Sequence, residues 1–232
     1  MKIFLHIPKT GGKSLYPWMR ANAARKFAYL DEKNGVRNMV KASKGADVLA
    51  GHVPFGVHCR TGLLGDGETA RYCTVLRDPV ERAISEYWWA RGKQNGYPHQ
   101  ADVAGVDLAG YVRGKEFAWS RNMQTRIVAG RGPVWTGDGD SDIDGDIVAI
   151  AKCNIRHWFD GVGVTEDLQG FVERLGERWG WDPPGELPWE HWQIDRPSAV
   201  TVGAALCDEI RAANALDVEL YEWAKGGLDA QQ

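Results

Sequence analysis

The feature of this sequence that most limits its fold is an apolar segment that runs directly into a glycine-containing turn. Residues Lys2 to Ile7 have the composition of a short buried strand, PKTGG follows as the turn, and a helical pattern then runs from near Ser14 to roughly Phe27. Pro17 fits the first turn of that helix, where its missing N–H is not needed. The pattern predicts a strand, a turn and a helix in immediate succession.

A second strand that hands over to a helix lies in YCTVLRDP (72–79). Asp78 can cap a helix and Pro79 suits the first helical position, so we predict a helix through about Arg91. Strands that end by starting helices are typical of a parallel α/β sheet, because parallel strands need crossover connections. Further strands are predicted at 47–52 and 158–164, and further helices at 117–130, 144–154, 165–179, 200–213 and 215–225.

Length and composition agree with one domain of this class. A chain of 232 residues with 44% hydrophobic content can bury a sizeable core, so we expect residues 1–232 to form a single α/β domain. Its sheet should be central, mostly parallel and flanked by helices. The four cysteines form no CxxC pair and no metal-ligand spacing, so we expect no metal site and no disulfide framework.

Charge and hydropathy limit the possible partners. The formal net charge of −3 gives no global basic field for nucleic acid. No segment approaches 18 uninterrupted apolar residues, and the opening apolar stretch is too short for a signal peptide. We expect a soluble cytoplasmic protein with no membrane insertion; the oligomeric state is not predicted.

The charges are unevenly distributed along the chain. Six Lys or Arg and no Asp or Glu fall between Met1 and Leu30, whereas the run DGDSDIDGD at 138–146 is strongly acidic. Residues 140–145 match the first half of a calcium-binding loop, but Ala151 stands where such a loop needs its bidentate glutamate. We interpret the run as an acidic solvated loop, with a calcium site as the alternative.

The basic N-terminal region contains a candidate phosphate site in its first turn. Backbone N–H groups before a helix converge on one point, and glycines allow close approach of an anion. Lysine and hydroxyl side chains add charge and hydrogen-bond donors. The alternative is a plain turn with exposed lysines. The candidate residues are Lys9, Thr10, Gly11, Gly12, Lys13 and Ser14.

The turn matches the ATP-binding P-loop only in part. GGKS supplies the end of the pattern G-x-x-x-x-G-K-[ST], but the required first glycine falls on Ile7. A P-loop enzyme also needs a strand that ends in a Mg²⁺-binding aspartate, and here Arg77 precedes Asp78 and Pro79 follows it. An ATP-dependent kinase is therefore the alternative function.

PKTGGKSL and VLRDPVERAISEYW resemble the 5′-phosphosulfate loop and the 3′-phosphate motif of sulfotransferases that use 3′-phosphoadenosine 5′-phosphosulfate (PAPS). The similarity is closest to the branch containing heparan-sulfate 2-O-sulfotransferase and its soluble prokaryotic relatives. It implies a P-loop-like sulfotransferase fold and covers most of the chain. Other similar segments are AGHVPFG (50–56), RNMQTRIVAG (121–130), GVTEDL (163–168) and NALDVELYEWA (214–224).

The resemblance implies specific roles in donor binding. Lys9 matches the lysine that contacts the bridging oxygen of the donor, and Arg77 and Ser85 match the ligands of its 3′-phosphate. The product is then adenosine 3′,5′-bisphosphate, and no metal is required. Arg82 lies one turn before Ser85 and either assists or forms a surface pair. Lys13 stands where the family more often has Thr or Ser, so it adds a second cation or brings the loop closer to an ATP loop.

The acceptor hydroxyl needs a base that titrates near operating pH, and histidine is the usual choice. His52 follows an apolar run, and its Gly-His-Val segment resembles the one that carries the catalytic histidine of the heparan branch; Ala50 replaces that branch's additional histidine. The alternative is a structural histidine at a strand end. His58 is the second candidate base. The remaining histidines have no motif to support them: His6, His99, His157 and His191.

The acceptor is the least constrained part of the prediction. Asn122 and Arg126 share a helical face in a segment that resembles the cleft of the family, so we predict that they contact substrate; Gln124 is a weaker candidate. Because the chain is net acidic, we expect a neutral or weakly charged acceptor: a glycan, a glycolipid or a small alcohol. A nucleotide-binding protein without catalysis is a third interpretation, against which an intact Lys9 and His52 argue.

Overall fold

A central sheet of five parallel strands forms the framework of the protein. The computed structural model describes residues 1–31, 36–62, 64, 69–92, 99–131, 146–188 and 197–229. The strand order is β2-β3-β1-β4-β5, and every pairing is parallel. The predicted α/β class is confirmed. The strands are β1 (Lys2–Leu5), β2 (Phe27–Asp31), β3 (Val48–His52), β4 (Arg71–Leu76) and β5 (Phe159–Val164).

Helices cover both faces of this sheet. In the described part of the chain they are α1 (Tyr16–Ala21), α2 (Val36–Ser43), α3 (Val57–Thr61), α4 (Pro79–Arg91), α5 (Gln100–Ala104), α6 (Leu108–Arg113), α7 (Met123–Val128), α8 (Asp146–Trp158), α9 (Leu168–Trp179), α10 (Ala199–Val202), α11 (Ala204–Ala213) and α12 (Ala215–Asp229). Short 3₁₀ helices lie at Gly12–Leu15, Lys115–Ser120 and Thr165–Asp167. No described helix has both the length and the apolar character that a membrane crossing demands.

Side chains of each strand alternate between two apolar layers. On β1, Ile3 and Leu5 join the larger buried cluster, whereas Phe4 points to the opposite face and joins a smaller one. The smaller layer is closed by α1 and α9, through residues such as Trp18 and Phe171. Burial on both faces explains why the central strands are almost uniformly apolar in the sequence.

The start of α4 is confirmed as predicted. The Asp78 carboxylate accepts a hydrogen bond of 3.0 Å from the backbone N–H of Glu81, and Pro79 occupies the first helical turn. α4 therefore begins immediately after β4, and Arg77 is held between the strand end and the capped helix.

The predicted first helix is too long. It ends at Ala21, and Phe27 instead begins the edge strand β2, which the sequence analysis missed. The Asp47 carboxylate accepts hydrogen bonds of 2.9, 3.0 and 2.7 Å from the backbone N–H groups of Ala24, Arg25 and Lys26. This distant carboxylate holds the backbone in a turn and so stops the helix.

Two other predicted helices are divided. The segment 117–130 contains the end of a 3₁₀ helix and α7, because Asn122 between them has a φ of +49°. The segment 200–213 is split into α10 and α11 at Gly203, whose φ is +94°.

The acidic run at 138–146, with its alternative calcium site, lies outside the described residues apart from Asp146, which begins α8.

Arg82 makes an ion pair inside the protein and not at its surface. Its side chain is 0% exposed; Nη1 donates to Glu86 Oε2 at 2.7 Å, and Nη2 donates to the carbonyl of Ser120 at 2.6 Å. Of the two alternatives for Arg82, the surface pair is wrong because the pair is buried; the contacts that bury it commit the guanidinium to α4 and the Lys115–Ser120 helix. Arg82 is therefore a structural residue.

Replacement of Arg82 by Met should destabilise the fold by about 3–5 kcal/mol, because it leaves the Glu86 carboxylate buried without a counter-ion. The double variant Arg82→Met/Glu86→Leu should recover most of that loss. Urea unfolding would measure both, with Arg113→Met as the control, since Arg113 and Glu209 form an exposed pair and should matter little. A double variant no more stable than Arg82→Met would contradict this account.

Candidate functional site

The carboxyl ends of four neighbouring strands meet at one edge of the sheet. β1 leads into His6 and Lys9, β3 ends at His52, β4 leads into Arg77, and β5 leads into Thr165. Ligand sites of open parallel sheets lie at this edge, because loops from adjacent strands converge there. The residues predicted from separate motifs are therefore brought to a common region.

The turn after β1 has an unusual backbone. Lys9 and Gly11 have φ values of +69° and +78°, and only glycine adopts such values without steric cost. Gly12 is confined by its neighbours: a Cβ there would lie 2.4 Å from Cδ2 of His6 and 2.7 Å from Cζ of Phe4. We call residues 8–14 the phosphate loop, after the role predicted for them.

Hydrogen bonds from two directions hold the phosphate loop. Inside the loop, Thr10 Oγ1 donates to the carbonyl of Ile7 at 2.9 Å, and the backbone N–H of Ser14 donates to Gly11 O at 3.2 Å. From outside, Thr165 Oγ1 lies 3.2 Å from Thr10 O and 3.1 Å from Leu76 O, so one hydroxyl joins the loop to the end of β4. Thr10 and Ser14 are buried and shape the loop from within.

Cationic groups surround this loop. Arg77 Nη1 donates to the carbonyl of Lys9 at 3.1 Å. The ammonium of Lys9 lies 5.3 Å from the centroid of the Trp89 ring, within cation–π range, and the side chain of Lys13 is exposed. The arrangement concentrates positive charge where backbone groups are already fixed, which favours an anion.

Arg77 is positioned by a clamp on its backbone. The side-chain amide of Gln124 accepts from Arg77 N and donates to Arg77 O, both at 2.9 Å. The guanidinium also contacts Glu81 Oε2 at 3.5 Å, a long ion pair that a stronger anion could replace. Ser85 lies one turn beyond Glu81 on the same face of α4, and its side chain is buried.

His52 has a defined tautomer. Its Nδ1 lies 2.7 Å from the backbone carbonyl of His6, and a carbonyl only accepts, so Nδ1 carries the proton and Nε2 is the basic nitrogen. The ring stacks on His6 with 4.4 Å between centroids, and Tyr29 meets it edge-on at 6.1 Å. This geometry suits a proton acceptor at Nε2.

His58, the second candidate base, is a core residue. Its side chain is buried, and Nδ1 lies 2.6 Å from the Tyr72 hydroxyl, while Nε2 lies 3.2 Å from Sγ of Cys59. Burial lowers the pKa of His58 below its ordinary value. These contacts give His58 a structural role and leave His52 as the better candidate.

Asn122 and Arg126 join α7 to neighbouring elements, α12 and the Lys115–Ser120 helix respectively. The Asn122 amide oxygen accepts from the backbone N–H groups of Leu216 and Asp217, at 3.1 and 3.3 Å, and so caps α12. Arg126 Nη1 donates to the carbonyl of Trp119 at 2.8 Å, and both side chains are buried. Of the three residues in this motif, Gln124 is the one whose side chain reaches the end of β4.

Three residues that the sequence did not mark as site candidates contribute to the site, namely His6, Trp89 and Thr165, and Gln124, the weaker candidate of its motif, contributes as well. Thr165 and Gln124 lie in segments noted for their resemblance, and His6 lies just before the predicted turn. Position at the carboxyl end of a strand is the signal that His6 and Thr165 share. Trp89 carries no such signal, since only the direction of α4 brings it near Lys9.

The pKa of His6 reflects the positive charge at this edge of the sheet. Its burial lowers its pKa well below the ordinary value, and the positive charges of His52, Lys13 and Lys9 lower it further. His6 is therefore neutral at physiological pH. Three His, Cys, Asp or Glu side chains that could share a metal ion are not found together among the described residues.

Comparison with known proteins adds no assignment. The sequence matches no protein-family model, and a search of curated proteins finds no significant match. The function is therefore argued from the residues and their geometry.

Thr165→Val should weaken binding of pyrophosphate, used as a simple probe of the loop, by roughly 5- to 10-fold. That change corresponds to about 1–1.4 kcal/mol, the ordinary contribution of an intramolecular hydrogen bond. Calorimetry would measure it, with Thr69→Val as the control, since Thr69 precedes β4 at the opposite edge of the sheet. Unchanged affinity in Thr165→Val would show that the hydroxyl does not hold the loop.

Proposed function

We propose that the protein is a PAPS-dependent O-sulfotransferase with a P-loop-like sulfotransferase fold. The observation that carries the proposal is the connection of three predicted groups at one sheet edge: Arg77 hydrogen-bonds the backbone of Lys9, and His52 hydrogen-bonds the backbone of His6 three residues earlier. A leaving-group cation, a second anion ligand and a base are the parts that sulfuryl transfer requires.

The proposed donor sites fit the chemistry of PAPS. The phosphate loop offers backbone N–H groups, Lys9 and Lys13 to the 5′-phosphosulfate. Arg77 is partly exposed, and its ion pair to Glu81 is long at 3.5 Å, so its guanidinium can exchange Glu81 for a 3′-phosphate while Nη1 keeps its hydrogen bond to the carbonyl of Lys9. Ser85 adds a hydroxyl from the same side of α4. A nucleotide that lacks the 3′-phosphate would leave this second pocket unused.

Lys9 stabilises the leaving group. As the acceptor oxygen forms its bond to sulfur, the bond from sulfur to the bridging phosphate oxygen breaks, and negative charge develops on that oxygen. The Lys9 ammonium offsets this charge, which is greatest in the transition state. Its backbone is held by Arg77, and its side chain is held against Trp89, so little reorganisation is needed.

His52 accepts the proton of the attacking hydroxyl at Nε2. The Nδ1–H donates to His6 O throughout, and this hydrogen bond becomes stronger when the ring is positively charged. The proton therefore moves from the acceptor oxygen to His52, while the sulfuryl group moves to that oxygen. The neutral His6 ring beside it adds no positive charge to oppose the change.

The kinase alternative is less well supported by the geometry. A P-loop kinase uses an aspartate at the end of a strand to hold Mg²⁺. Here Asp78 follows β4, but its carboxylate caps α4 by accepting from Glu81 N. The residue at the strand end is Arg77, which suits a second phosphate better than a metal.

For the acceptor we propose a neutral or weakly charged molecule with a free hydroxyl, such as a glycan, a glycolipid or a small alcohol. Tyr29 beside His52 is 40% exposed, and its ring offers an amphipathic surface with a polar hydroxyl. Such a ring suits the apolar face of a sugar. It does not provide the row of cations that a polysulfated chain would need.

Calorimetry with adenosine 3′,5′-bisphosphate tests the donor assignment. We expect dissociation constants of about 1 μM or below without Mg²⁺, because two anion pockets act together, and only weak binding of ATP. Arg77→Ala should weaken the bisphosphate far more than adenosine 5′-phosphosulfate, which lacks the 3′-phosphate. Tight Mg·ATP binding with no response to the bisphosphate would replace this proposal with the kinase.

Two further substitutions test the chemical roles in an assay with radiolabelled PAPS and a panel of saccharides and alcohols. His52→Ala should lower turnover by ~10²–10⁴-fold, as expected for a lost general base, with bisphosphate affinity almost unchanged. Lys9→Ala should also lose turnover by a large factor, because it acts mainly in the transition state. His58→Ala is the matched control for His52. Near-full turnover in His52→Ala would remove it from the mechanism.

A further inference from the structure

Both the backbone and the side chain of His6 contact His52. The carbonyl of His6 accepts from His52 Nδ1 at 2.7 Å, and the two imidazole rings stack with 4.4 Å between centroids and 29° between planes. The His6 side chain is only 3% exposed. One buried residue therefore determines both the protonated nitrogen and the plane of its neighbour.

The His6 ring is itself held on several sides. Its Nδ1 shares a hydrogen bond with the Tyr16 hydroxyl from α1, and the Tyr16 ring meets it edge-on at 5.3 Å. Phe4 stacks against it with 5.5 Å between centroids. Gly12 of the phosphate loop leaves the space for the ring, since a Cβ at Gly12 would lie 2.7 Å from His6 Nε2.

We propose that His6 is a positioning residue for the base, which keeps His52 in one tautomer and one ring orientation relative to the phosphate loop. The inference rests on the proposed role of His52 as a base and deepens it. His6 is not the base itself, because its ring is buried and Nδ1 is already bonded to Tyr16.

The positioning has a simple physical basis: the imidazole of His52 is constrained both by the carbonyl of His6 and by the ring of His6. The carbonyl of His6 selects the Nδ1–H tautomer, which leaves Nε2 to accept a proton. The stacked ring prevents His52 from tilting away from that carbonyl. Because Gly12 packs against the other edge of His6, the position of the base is tied to the position of the loop that would hold the donor.

The charge state of His6 agrees with this role. The groups that face it are His52 from β3, Lys9 and Lys13 from the loop, and Tyr16 from α1. Burial lowers its pKa well below the ordinary value, and repulsion from Lys9, Lys13 and a protonated His52 lowers it further. A neutral ring can stack on His52 in both of its protonation states, whereas a charged one would repel the imidazolium.

Nitrogen-15 NMR of the imidazoles, recorded without any donor, tests the positioning of His52 directly. The wild-type protein should show His52 as the Nδ1–H tautomer, with assignment from the loss of its signals in His52→Gln. In His6→Ala, which keeps the carbonyl but removes the ring, we expect a mixture of tautomers. His157→Ala is the matched control, since His157 is exposed on α8 and should leave the His52 signals unchanged.

Turnover supplies the second measurement. His6→Ala should lower kcat about 10-fold or more through misplacement of the base, with bisphosphate affinity within about twofold of the wild type. His6→Phe should restore most of the loss, because its ring can stack on His52 again. Tyr16→Phe, which removes only the hydroxyl that holds His6, should lower kcat less than His6→Ala and have no further effect in the His6→Phe background.

The outcomes separate the two proposals. A changed His52 tautomer in His6→Ala, in a protein that transfers no sulfuryl group, would sustain the positioning role and reject the proposed reaction. An unchanged tautomer and unchanged kcat in folded His6→Ala would overturn the positioning role alone. If His6→Ala does not fold, Tyr16→Phe decides: wild-type His52 signals together with wild-type kcat would count against the inference.

Discussion

The site depends on the backbone of one turn, which keeps a conformation that most residues avoid. Lys9 has a φ of +69°, and a non-glycine residue in this region costs on the order of 1–2 kcal/mol. Arg77 and Thr165 offset that cost, because each contributes a hydrogen bond to a carbonyl of the turn. Since these residues come from the ends of β4 and β5, the loop keeps its shape only when the sheet is fully assembled.

Gly12 shows how one small residue can satisfy two demands. The sequence pattern suggested that this glycine allows an anion to approach the backbone. In the structure, the missing Cβ also makes room for the rings of His6 and Phe4. A glycine at this position is thus required by the packing of the protein interior, independently of any part it has in ligand binding.

Much of the framework could be predicted because the deciding signals are local. Apolar runs mark β1, β3, β4 and β5, and the Asp78–Pro79 pair marks the start of α4. The edge strand β2 could not be predicted, since the turn before it is imposed by Asp47, a residue far along the chain. The same limit applies to the site: Lys9, His52 and Arg77 were visible in motifs, whereas the contacts of His6 and Trp89 arise only from packing. The burial of Arg82 could not be predicted either, because an arginine on a helix gives no local sign of whether it lies at the surface or in the interior.

Arg77 connects recognition with catalysis in the proposed enzyme. Its guanidinium is assigned to the 3′-phosphate, yet Nη1 also holds the carbonyl of Lys9, the residue assigned to the leaving group. Gln124 fixes the backbone of Arg77 through both of its amide atoms, so the shared residue is rigid at its base and adjustable at its tip. A phosphate that binds the guanidinium would compete with Glu81 first, because that ion pair is the longer contact, and could leave the bond to Lys9 in place. Binding of the distal phosphate would then stabilise the conformation of the catalytic turn, which gives a physical reason for a donor with phosphates at both ends of its ribose.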